Sequence, residues 1–477
     1  MPSSHSPASP DEIKRVVNAQ HDHAPAVRAT TAAQRRTKLR RLADALLDRR
    51  ETFYEALAAD FQKAPVEIDL TEIKAVTKEA EHAMAHLEKW MRPDRTPSPF
   101  LFAGTRSAIH YEPKGVVLIM APWNYPINLT LGPLVGALAA GNCVVLKPSE
   151  HAPHTAAALQ GFIADLYDER EVTVLTGGPD VAQTLTAQPV DHIYFTGSPA
   201  IGRLVMTAAA EHLTSVTLEL GGKSPTVVDA TADLEQAAGR IAWAKFTNAG
   251  QTCIAPDYVL VEDRVRDALV DRLRAHVHQF YGASADAQQA SEDYARLVHE
   301  DHYEAVTALL SDAVDAGATV ALGGQHDAGT NFVAPTVLTD VPLDADIMQD
   351  EIFGPLLPVL SYGSLDDALQ IINNRPSPLS LYVFSERETT VDAILGRTTA
   401  GSTCVNEAFL HFINPNLPFG GKGESGIGRG HGRRSFQEFS NERSVLRRSY
   451  GSELLRPLYP PYDRLTSRVA DWVLRFF

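Results

Sequence analysis

The N-terminal part of the chain has the hydrophobic spacing of amphipathic helices. The leucines at positions 39, 42, 46 and 47 recur at helical spacing and are separated by charged residues. Similar patterns predict further helices over residues 51–62 and 73–90, and the proline-rich segment 93–99 ends this region. We therefore expect a helical layer that covers another part of the fold.

Beyond residue 114 the pattern becomes one of strands that alternate with helices. Continuous apolar runs at 115–120, 142–148 and 192–197 predict strands that are buried on both faces. Helix-like segments such as 131–140 and 155–167 lie between them, and this alternation predicts a parallel sheet with helical crossovers. A second alternation over about 221–403 predicts another α/β domain, with strands expected at 225–228, 258–261, 356–360 and 381–384.

Composition narrows the class of protein. The 477 residues include 44% hydrophobic and 21% charged residues, as expected for a globular protein of two or three domains. A formal charge of −16 argues against nucleic-acid binding, which requires a basic surface. The three cysteines have neither metal-ligand spacing nor the even number of a disulfide framework. We therefore expect no metal site and, since the N-terminus lacks the apolar core of a signal peptide, a cytoplasmic protein.

The segment 247–257 combines a single thiol with residues that interrupt regular structure. Gly250 precedes Cys253 and Pro256 follows it, so we expect a helix to end here before a strand begins. A thiol at such a break can face a cavity, where a nearby base would make it a nucleophile. A buried structural cysteine explains the same residues, so the segment alone leaves both interpretations open. Cys143 and Cys404 lie in extended apolar runs and are expected in the core.

Other candidate residues lie at the ends of predicted strands. Gly197 and Gly202 flank the start of a predicted helix, whose free N–H groups suit a phosphate. Lys147 and Glu150 follow another strand, where they either contact a ribose or form a surface ion pair. Glu219 lies in a strand-like run, where it is either a general base with a raised pKa or an outward-facing strand residue.

Several motifs together resemble the aldehyde dehydrogenase superfamily. They are 121–126 (APWNYP), 218–223 (LELGGK), 250–253 (GQTC), 351–355 (EIFGP), Asn406, 418–421 (PFGG) and 425–426 (SG). Their order and spacing match the family from the helical N-terminal region to about Arg447. Within the family the chain is most similar to the class 3 and fatty aldehyde dehydrogenase branch, on cues such as 253–258 and 459–462.

The resemblance implies a role for each matched residue. Cys253 attacks the aldehyde carbon, its backbone N–H and the amide of Asn124 hold the oxyanion, and Glu219 activates the water that hydrolyses the thioester. NAD is the implied cofactor, with NADP as an alternative. The residues implied to bind it are Lys147, Glu150, Thr196, Gly197, Ser198, Gly202, Leu220, Gly221, Glu351 and Phe353. Those implied to contact the substrate are Tyr125, Thr252, Phe409, Phe412 and Phe419.

The resemblance also implies an α/β fold with a defined domain organisation and a homodimeric assembly. A Rossmann-like NAD(P)-binding domain with its helical layer is expected over residues 1–101 and 114–219, and an α/β catalytic domain over 220–416. Residues 102–113 and 417–447 would form a small β oligomerisation or bridging element. The tail, 448–477, is expected to carry an amphipathic helix that is too short and too charged to span a bilayer. It would pack on the dimer, with contact to a membrane surface as the alternative.

The expected reaction is NAD(P)-dependent oxidation of an aldehyde to a carboxylic acid. Aromatic and apolar residues near 409–418 favour hydrophobic aldehydes, aliphatic or aromatic, because this segment has no Arg or Lys to hold a second carboxylate. A CoA-acylating enzyme and a non-catalytic binding or structural protein on the same fold are the alternatives. Glu219 favours hydrolysis, which needs a base, and the presence of every catalytic residue argues against a non-catalytic protein.

Overall fold

The computed structural model describes residues 7–99, 102, 104–449 and 459–476. Its N-terminal region is helical, as predicted: α1 (Pro10–Arg28), α2 (Ala32–Asp48), α3 (Arg50–Phe61), α4 (Pro65–Ile68) and α5 (Lys74–Trp90), with a π-helical turn at Asp69–Ile73. On α2, Leu39, Leu42 and Leu46 are buried, whereas Leu47 is 50% exposed. Leu47 lies about 100° further around the helix than Leu46, which turns it away from the core.

The first large sheet is a six-stranded, mostly parallel sheet. Its strands are β3 (Val116–Met120), β4 (Cys143–Lys147), β5 (Val172–Val174), β6 (His192–Gly197), β7 (Ser215–Leu220) and β17 (Gly426–Ile427). They lie in the order β17-β7-β6-β3-β4-β5, and only β17 is antiparallel to its neighbour. The five parallel strands therefore follow the Rossmann-like order 3-2-1-4-5. The order in which successive strands are added to the sheet reverses between β3 and β6.

Helices cover both faces of this sheet. They are α6 (Asn128–Ala140), α7 (Pro153–Leu166), α8 (Pro179–Thr186) and α9 (Pro199–Ala210), together with the N-terminal layer. On β3, Val117 and Ile119 pack into one buried cluster, and Val116 and Leu118 pack into another. Both faces of the strand are buried, which explains the continuous apolar run in the sequence.

The second large sheet has seven strands. They are β8 (Pro225–Val228), β9 (Tyr258–Glu262), β10 (Thr319–Leu322), β13 (Thr336–Thr339), β14 (Leu356–Tyr362), β15 (Ser380–Phe384) and β16 (Ser402–Val405). The order is β10-β13-β14-β9-β8-β15-β16, and only the edge strand β10 is antiparallel to its neighbour. The helices of this part are α10 (Leu234–Phe246), α11 (Arg266–Tyr281), α12 (Ala285–Ala290), α13 (Glu300–Asp315), α14 (Leu365–Asn373) and α15 (Glu388–Arg397). The α/β class expected from the sequence is confirmed.

Smaller elements complete the structure. β1 (Asp94–Thr96), β2 (Thr105–Pro113) and β18 (Ser440–Arg448) form an antiparallel sheet in the order β1-β2-β18, and β11 (His326–Asp327) pairs with β12 (Phe332–Val333). Because β2 pairs with β18, the three-stranded sheet joins the two segments, 102–113 and 417–447, that were expected to build a small β element. Helix α16 (Gly432–Glu438) lies between β17 and β18. The domain boundaries themselves stay predictions.

The C-terminal helix is α17 (Arg464–Phe476). Leu465, Trp472 and Leu474 are largely exposed on it, whereas Thr466 is buried. The prediction also placed Val473 and Phe476 on the apolar face, and those two side chains lie outside the described part of the chain. None of the helices in the described ranges combines the length and hydrophobicity that crossing a bilayer requires.

Candidate active site

The turn before Cys253 has an unusual backbone. Helix α10 ends at Phe246, and the three residues Asn248, Ala249 and Gly250 have φ values of 55°, 51° and 76°. Left-handed conformations are costly for residues other than glycine, and they persist where surrounding contacts impose them. Here the side-chain amide of Asn248 donates to the carbonyl oxygens of Asn124 (2.9 Å) and Gln251 (3.2 Å). The sequence correctly predicted that regular structure breaks at this point.

Cys253 lies in the wall of an apolar cavity. It is partly exposed, whereas Cys143 and Cys404 are buried, as expected for core residues. Burial is the main cause that raises the pKa of the Cys253 thiol, and the charges of Glu351 and Glu219 raise it further. The thiol is therefore protonated at neutral pH in the protein alone, and its activation requires a base or a positive charge nearby.

Asn124 approaches the cysteine turn from the other large sheet. Its Nδ2 donates to the carbonyl oxygen of Gln251 at 3.0 Å, two residues before Cys253, and the side chain is buried. A primary amide carries two N–H donors, so one of them remains available. The Oδ1 atom is also buried and has no hydrogen-bond partner. The structure thus brings Asn124 to the thiol-bearing turn, as the sequence motifs imply.

Glu219 lies near the end of β7 and lines the same cavity as Cys253. Tyr194 Oη donates to its Oε1 at 3.4 Å, and its Oε2 is buried without a partner. Burial raises the pKa of Glu219 well above the usual range of a carboxyl group; Arg429 opposes this rise and Glu438 adds to it. The interpretation as an outward-facing strand residue is wrong, because Glu219 is only 5% exposed.

The remaining wall of the cavity is mainly apolar and aromatic. Its lining includes all five residues expected to contact the substrate, Tyr125, Thr252, Phe409, Phe412 and Phe419, together with Leu129, Ile413, Pro133 and Pro415. The Phe419 ring stacks on His431 with 5.1 Å between centroids, and Phe412 packs edge-on against Phe409 at 5.1 Å. Tyr125 Oη lies 2.7 Å from the Thr252 hydroxyl, next to the thiol.

Helix α5 supplies polar wall residues that the sequence analysis missed. Lys78 and Glu79 line the cavity, although the segment expected to form its wall contains no Lys or Arg. Glu79 accepts a hydrogen bond from the backbone N–H of Gly432 at 2.6 Å, and burial raises its pKa to about 7. The contact spans 353 positions, so no local motif signals it. His431 is a further lining residue that was not assigned a role.

A second group of predicted residues lies where strands of the first sheet end. Lys147 is buried at the end of β4, and its Nζ donates to Oε2 of Glu150 at 2.5 Å. After β6, Ser198 caps helix α9 by accepting from the N–H of Ile201. The side chain of Thr196 is buried, and its hydroxyl has no partner. These residues flank the reversal between β3 and β6, where open α/β sheets bind ligands.

Glu351 and Phe353 lie between this edge and Cys253. A Cβ atom on Gly221 would lie 1.9 Å from Oε2 of Glu351, so the carboxyl group rests against the glycine backbone. Burial raises the pKa of Glu351 to about 8. Phe353 has a φ of 51°, and its ring lies edge-on to Trp123 at 5.4 Å. The buried pair Lys223–Asp257 (2.5 Å) holds this loop, because Asp257 also accepts the N–H of Ile352 at 3.0 Å.

Comparison with known proteins identifies the family. The family model described as "Aldehyde dehydrogenase family" matches residues 3–445. The chain belongs to the aldehyde dehydrogenase family. The recognition from sequence motifs is therefore confirmed, as is the assignment to an enzyme of this family.

Among characterised aldehyde dehydrogenases, the chain is 43% identical over 441 residues to mouse aldehyde dehydrogenase family 3 member B2, covering 92% of this chain and 90% of the relative. It is 42% identical over 428 residues to 4,4'-diaponeurosporen-aldehyde dehydrogenase of Staphylococcus aureus, covering 90% and 92% respectively. These identities support the class 3-like branch.

Solved structures of aldehyde dehydrogenases share the fold. One is the substrate-bound state of Staphylococcus aureus AldH, with a TM-score of 0.92 and 39% identity over 97% of this chain and 99% of that chain. Another is a Mycobacterium tuberculosis aldehyde dehydrogenase complexed with NAD+, with a TM-score of 0.83 and 29% identity, covering 92% and 90%. The family fold thus spans nearly the whole chain.

Proposed function

We propose that this aldehyde dehydrogenase oxidises hydrophobic aldehydes, aliphatic medium- to long-chain or aromatic, to carboxylic acids with NAD(P)+ as oxidant. The observation that carries the proposal is one shared cavity. It brings a thiol, Cys253, and a buried carboxyl group, Glu219, together with a wall of aromatic side chains. A nucleophile and a base in one cavity suit a reaction that forms and then hydrolyses a covalent intermediate.

In the first half of the proposed reaction, the Cys253 thiol releases its proton to water, and its sulfur attacks the carbonyl carbon of the aldehyde. The negative charge that develops on the oxygen is held by the backbone N–H of Cys253 and by the Asn124 amide. Asn124 can do so because one N–H donates to Gln251 and the second is available. Fixed donors in a site with little water stabilise such a charge without reorganisation, which lowers the barrier.

The protein residues fit a nicotinamide cofactor. Gly221 lets the Glu351 carboxyl group rest against the backbone, at a place that any Cβ atom would fill. Glu351 would hold the nicotinamide ribose, and Phe353 would pack near the ring. Thr196, whose buried hydroxyl lacks a partner, would lie beside the cofactor with Leu220. When bound, the oxidised nicotinamide would supply a positive charge near the thiol and would accept the hydride that the thiohemiacetal carbon loses as it becomes the carbonyl carbon of the Cys253 thioester.

The other end of the cofactor would occupy the strand ends of the first sheet. Gly197, Ser198 and Gly202 belong to the turn into α9, whose helix N-terminus suits a pyrophosphate. Lys147 and Glu150 would contact the adenosine ribose. The Glu150 carboxylate would repel a phosphate at the 2′ position, which favours NAD over NADP.

In the second half of the proposed reaction, Glu219 takes a proton from water as the water attacks the thioester on Cys253. The raised pKa of Glu219, caused mainly by burial, makes it a stronger base than an exposed carboxylate. The presence of this base favours hydrolysis over CoA acylation. Water must be activated to attack the thioester, whereas transfer to the thiol of CoA needs no activated water. We therefore favour the free acid as product over an acyl-CoA.

Apolar walls support hydrophobic substrates. Phe409, Phe412 and Phe419 present aromatic surface to the cavity, and aromatic surface binds alkyl chains and rings by excluding water. Such a wall favours hydrophobic aldehydes over small polar semialdehydes, although Lys78 and Glu79 add charged groups to the cavity. Among the described residues, no group of three or more His, Cys, Asp or Glu side chains is placed to hold a metal ion.

We also propose a cytoplasmic homodimer. The edge strand β18 offers unpaired backbone groups along nine residues, and such an edge is suited to pairing with a second copy of the chain. The three cysteines are free, as expected in a reducing compartment. Helix α17 would pack on the dimer, with contact to a membrane surface as the alternative. Light scattering of the purified protein tests the assembly.

An aldehyde panel tests the reaction. Aliphatic and aromatic aldehydes of increasing length are supplied with NAD+ or NADP+, and absorbance of the reduced nicotinamide, free acid and acyl-CoA are measured. We expect free acid from hydrophobic aldehydes. Cys253→Ala should abolish turnover and retain cofactor binding, whereas Cys143→Ala, a matched change in the core, should retain turnover. Undiminished turnover in Cys253→Ala refutes the assigned nucleophile.

A further inference from the structure

Two neighbouring strands of the first sheet carry polar residues on a shared face. The register of β6 and β7 pairs His192 with Ser215, Tyr194 with Thr217, and Thr196 with Glu219. Alternate residues of a strand share a face, so these pairs form one polar row that runs from the surface to Glu219, the proposed general base. Strand β3, the next neighbour of β6, is entirely apolar. Buried polar groups are costly unless they are hydrogen-bonded, so the row calls for a physical explanation.

Hydrogen bonds connect this polar row to α16. The Thr217 hydroxyl donates to Oε1 of Glu438 at 2.6 Å and lies 3.0 Å from Nε2 of His192. Nδ1 of His192 lies 2.9 Å from the Ser215 hydroxyl and 3.1 Å from Nζ of Lys114. Because Thr217 donates to Glu438, it accepts from Nε2–H of His192, and Nδ1 accepts from Lys114. This series of hydrogen bonds reaches solvent at the exposed Ser215.

Glu438 reaches the polar face of the proposed base through Thr217, the residue paired with Tyr194, although it does not line the substrate cavity. After burial, its charge is among the causes that raise the pKa of both Glu219 and Tyr194. Tyr194 donates to Glu219 at 3.4 Å, and it lies opposite Thr217, the residue that binds Glu438. The buried carboxyl group of Glu219 and the half-buried one of Glu438 therefore belong to one polar cluster, and the phenol of Tyr194 lies beside them.

A proton must leave this cluster in every catalytic cycle. Burial favours the protonated form of Glu219, and Glu219 can accept a proton from the hydrolytic water only after it has lost the one it carries, while the thioester is still present. During this step the acyl group fills the cavity between Phe409, Phe412 and Phe419, so it blocks escape along the substrate path. The half-buried Glu438 offers a route to solvent that the acyl group does not obstruct.

We propose that Glu438 receives the proton that Glu219 carries before thioester hydrolysis and releases it to solvent outside the substrate cavity. This inference rests on the proposed oxidation of aldehydes to acids. The water O–H bond breaks as the bond between its oxygen and the acyl carbon forms. The Glu219 proton first passes through the Tyr194 hydroxyl or one water molecule to Glu438 and then to bulk water. The ionised Glu219 takes the proton of the attacking water, and the C–S bond breaks, so that the acid leaves and the Cys253 sulfur is freed.

Both carboxyl groups return to their starting charge, and no electron is transferred in these steps. Thr217 and His192, with Lys114 behind them, are positioning residues that hold the Glu438 carboxylate beside the cluster. Glu438 acts through Glu219 and does not touch the substrate in this scheme. The reaction before hydrolysis is therefore independent of Glu438.

A single-turnover experiment on the full-length holoenzyme tests this role. Enzyme with bound NAD+ is mixed with less than one equivalent of a hydrophobic aldehyde, and the formation and decay of the Cys253 thioester are followed by quenched flow. We expect Glu438→Gln to slow thioester decay about tenfold while reduced cofactor forms at the normal rate, because only proton removal by a relay group is lost. Glu442→Gln, the same charge change on β18, should leave both rates unchanged.

Chemical rescue separates proton transfer from mere structural support. Because Glu438 is half-buried, formate can enter the space left in Glu438→Ala and act as a diffusible proton acceptor. We expect formate to restore thioester decay in Glu438→Ala and not in Glu219→Gln. Thr217→Val should slow decay to a smaller extent, whereas Thr226→Val, an equally buried change in the second sheet, should not.

The outcomes distinguish this inference from the proposed function. Normal thioester decay in Glu438→Gln, or a decay in Glu438→Ala that formate leaves slow, overturns the relay and leaves the oxidation intact. Slowing of thioester formation and decay by the same factor also overturns it, because such a result indicates a general structural role. If wild-type enzyme forms no thioester with any aldehyde, the proposed function itself fails.

Discussion

The hydroxyl oxygens of Tyr125 and Thr252 lie 2.7 Å apart, directly beside the proposed nucleophile Cys253. Tyr125 follows β3 of the first sheet, whereas Thr252 precedes β9 of the second. Nζ of Lys63 lies 3.8 Å from the centroid of the Tyr125 ring and also binds Glu72 at 2.9 Å. A buried cation and a hydroxyl therefore fix the tyrosine from two sides, and the tyrosine connects the two sheets at the thiol.

Removing this hydroxyl should weaken both stability and catalysis. In Tyr125→Phe the Thr252 hydroxyl loses its partner, which should lower the free energy of unfolding by about 1 kcal/mol. We expect kcat/KM to fall roughly threefold to tenfold, because a small misplacement of the thiol raises the barrier. Thermal melts and steady-state kinetics measure both effects. Tyr462→Phe, at a largely exposed tyrosine, should change neither.

Gly250 should not tolerate a side chain. A Cβ atom there would lie 2.3 Å from the carbonyl oxygen of Gly354, and its φ of 76° is unfavourable for other residues. We expect Gly250→Ala to lower the free energy of unfolding by about 1–3 kcal/mol and to remove most activity, because the turn carries Cys253.

Gly161 provides the matched control for this substitution. It lies inside helix α7, and nothing lies within 4 Å of the position of an added Cβ. Gly161→Ala should therefore raise the free energy of unfolding by roughly 0.5–1 kcal/mol, since alanine favours helix. A Gly250→Ala variant that melts at the wild-type temperature with full activity would contradict the role of the turn.

Glu219→Gln should separate the two halves of the reaction. Glutamine cannot accept a proton from water, so hydrolysis of the thioester should slow by about 10²–10⁴-fold, whereas the first reduced cofactor should still form. Stopped-flow absorbance should then show a burst of one reduced nicotinamide per active site, followed by a slow phase. Loss of the burst in a folded variant would indicate that Glu219 acts before the thioester forms.

Thioester hydrolysis should accelerate as the pH rises through neutrality. Burial raises the pKa of Glu219 well above its usual range, so this carboxyl group should ionise at a higher pH than an exposed glutamate does. Raising the pH increases the fraction of carboxylate, and the decay rate should increase up to tenfold per pH unit below that pKa. Single-turnover decay measured across neutral and alkaline buffers checks the sign. A decay rate that falls with rising pH would exclude Glu219 as the base.

Glu150 should influence the choice between the two cofactors. Its carboxylate accepts from Lys147 at 2.5 Å, in the region proposed for the adenosine ribose. Glu150→Gln removes the charge that would repel a 2′-phosphate, so the ratio of kcat/KM for NADP+ to that for NAD+ should rise roughly fivefold to tenfold. Glu169→Gln, a surface control, should not alter the ratio. An unchanged ratio in Glu150→Gln would place the 2′-phosphate elsewhere.

Local sequence patterns predicted much of the fold and the cavity. The strand 225–228 is observed as β8 with the same bounds, and the break before Cys253 coincides with the left-handed turn. Both features follow from adjacent residues, because an apolar run or a glycine acts over a few positions. Of the residues that the motifs single out, Glu219 and Cys253 line one cavity and Asn124 contacts the turn before Cys253, and their catalytic roles stay predictions.

Contacts between distant segments were not predictable from local patterns. Glu79 lines the cavity because α5 packs near Gly432, and Glu438 meets Thr217 across 221 positions. Each looks like an ordinary charged helix residue in the sequence. Charge near an apolar run is usually solvated, and only tertiary packing reveals which carboxyl group is turned inward.

The short strand β17 has a consequence for the order of synthesis. It pairs with the strand that carries the proposed base, with Gly426 opposite Glu219, and the N–H of Leu220 donates to the carbonyl of Ser425 at 3.1 Å. A ribosome must therefore reach residue 426 before the base acquires its flanking strand. Nascent chains that end before β17 should lack a competent catalytic centre, which would delay the reactive thiol's function until that strand has been made.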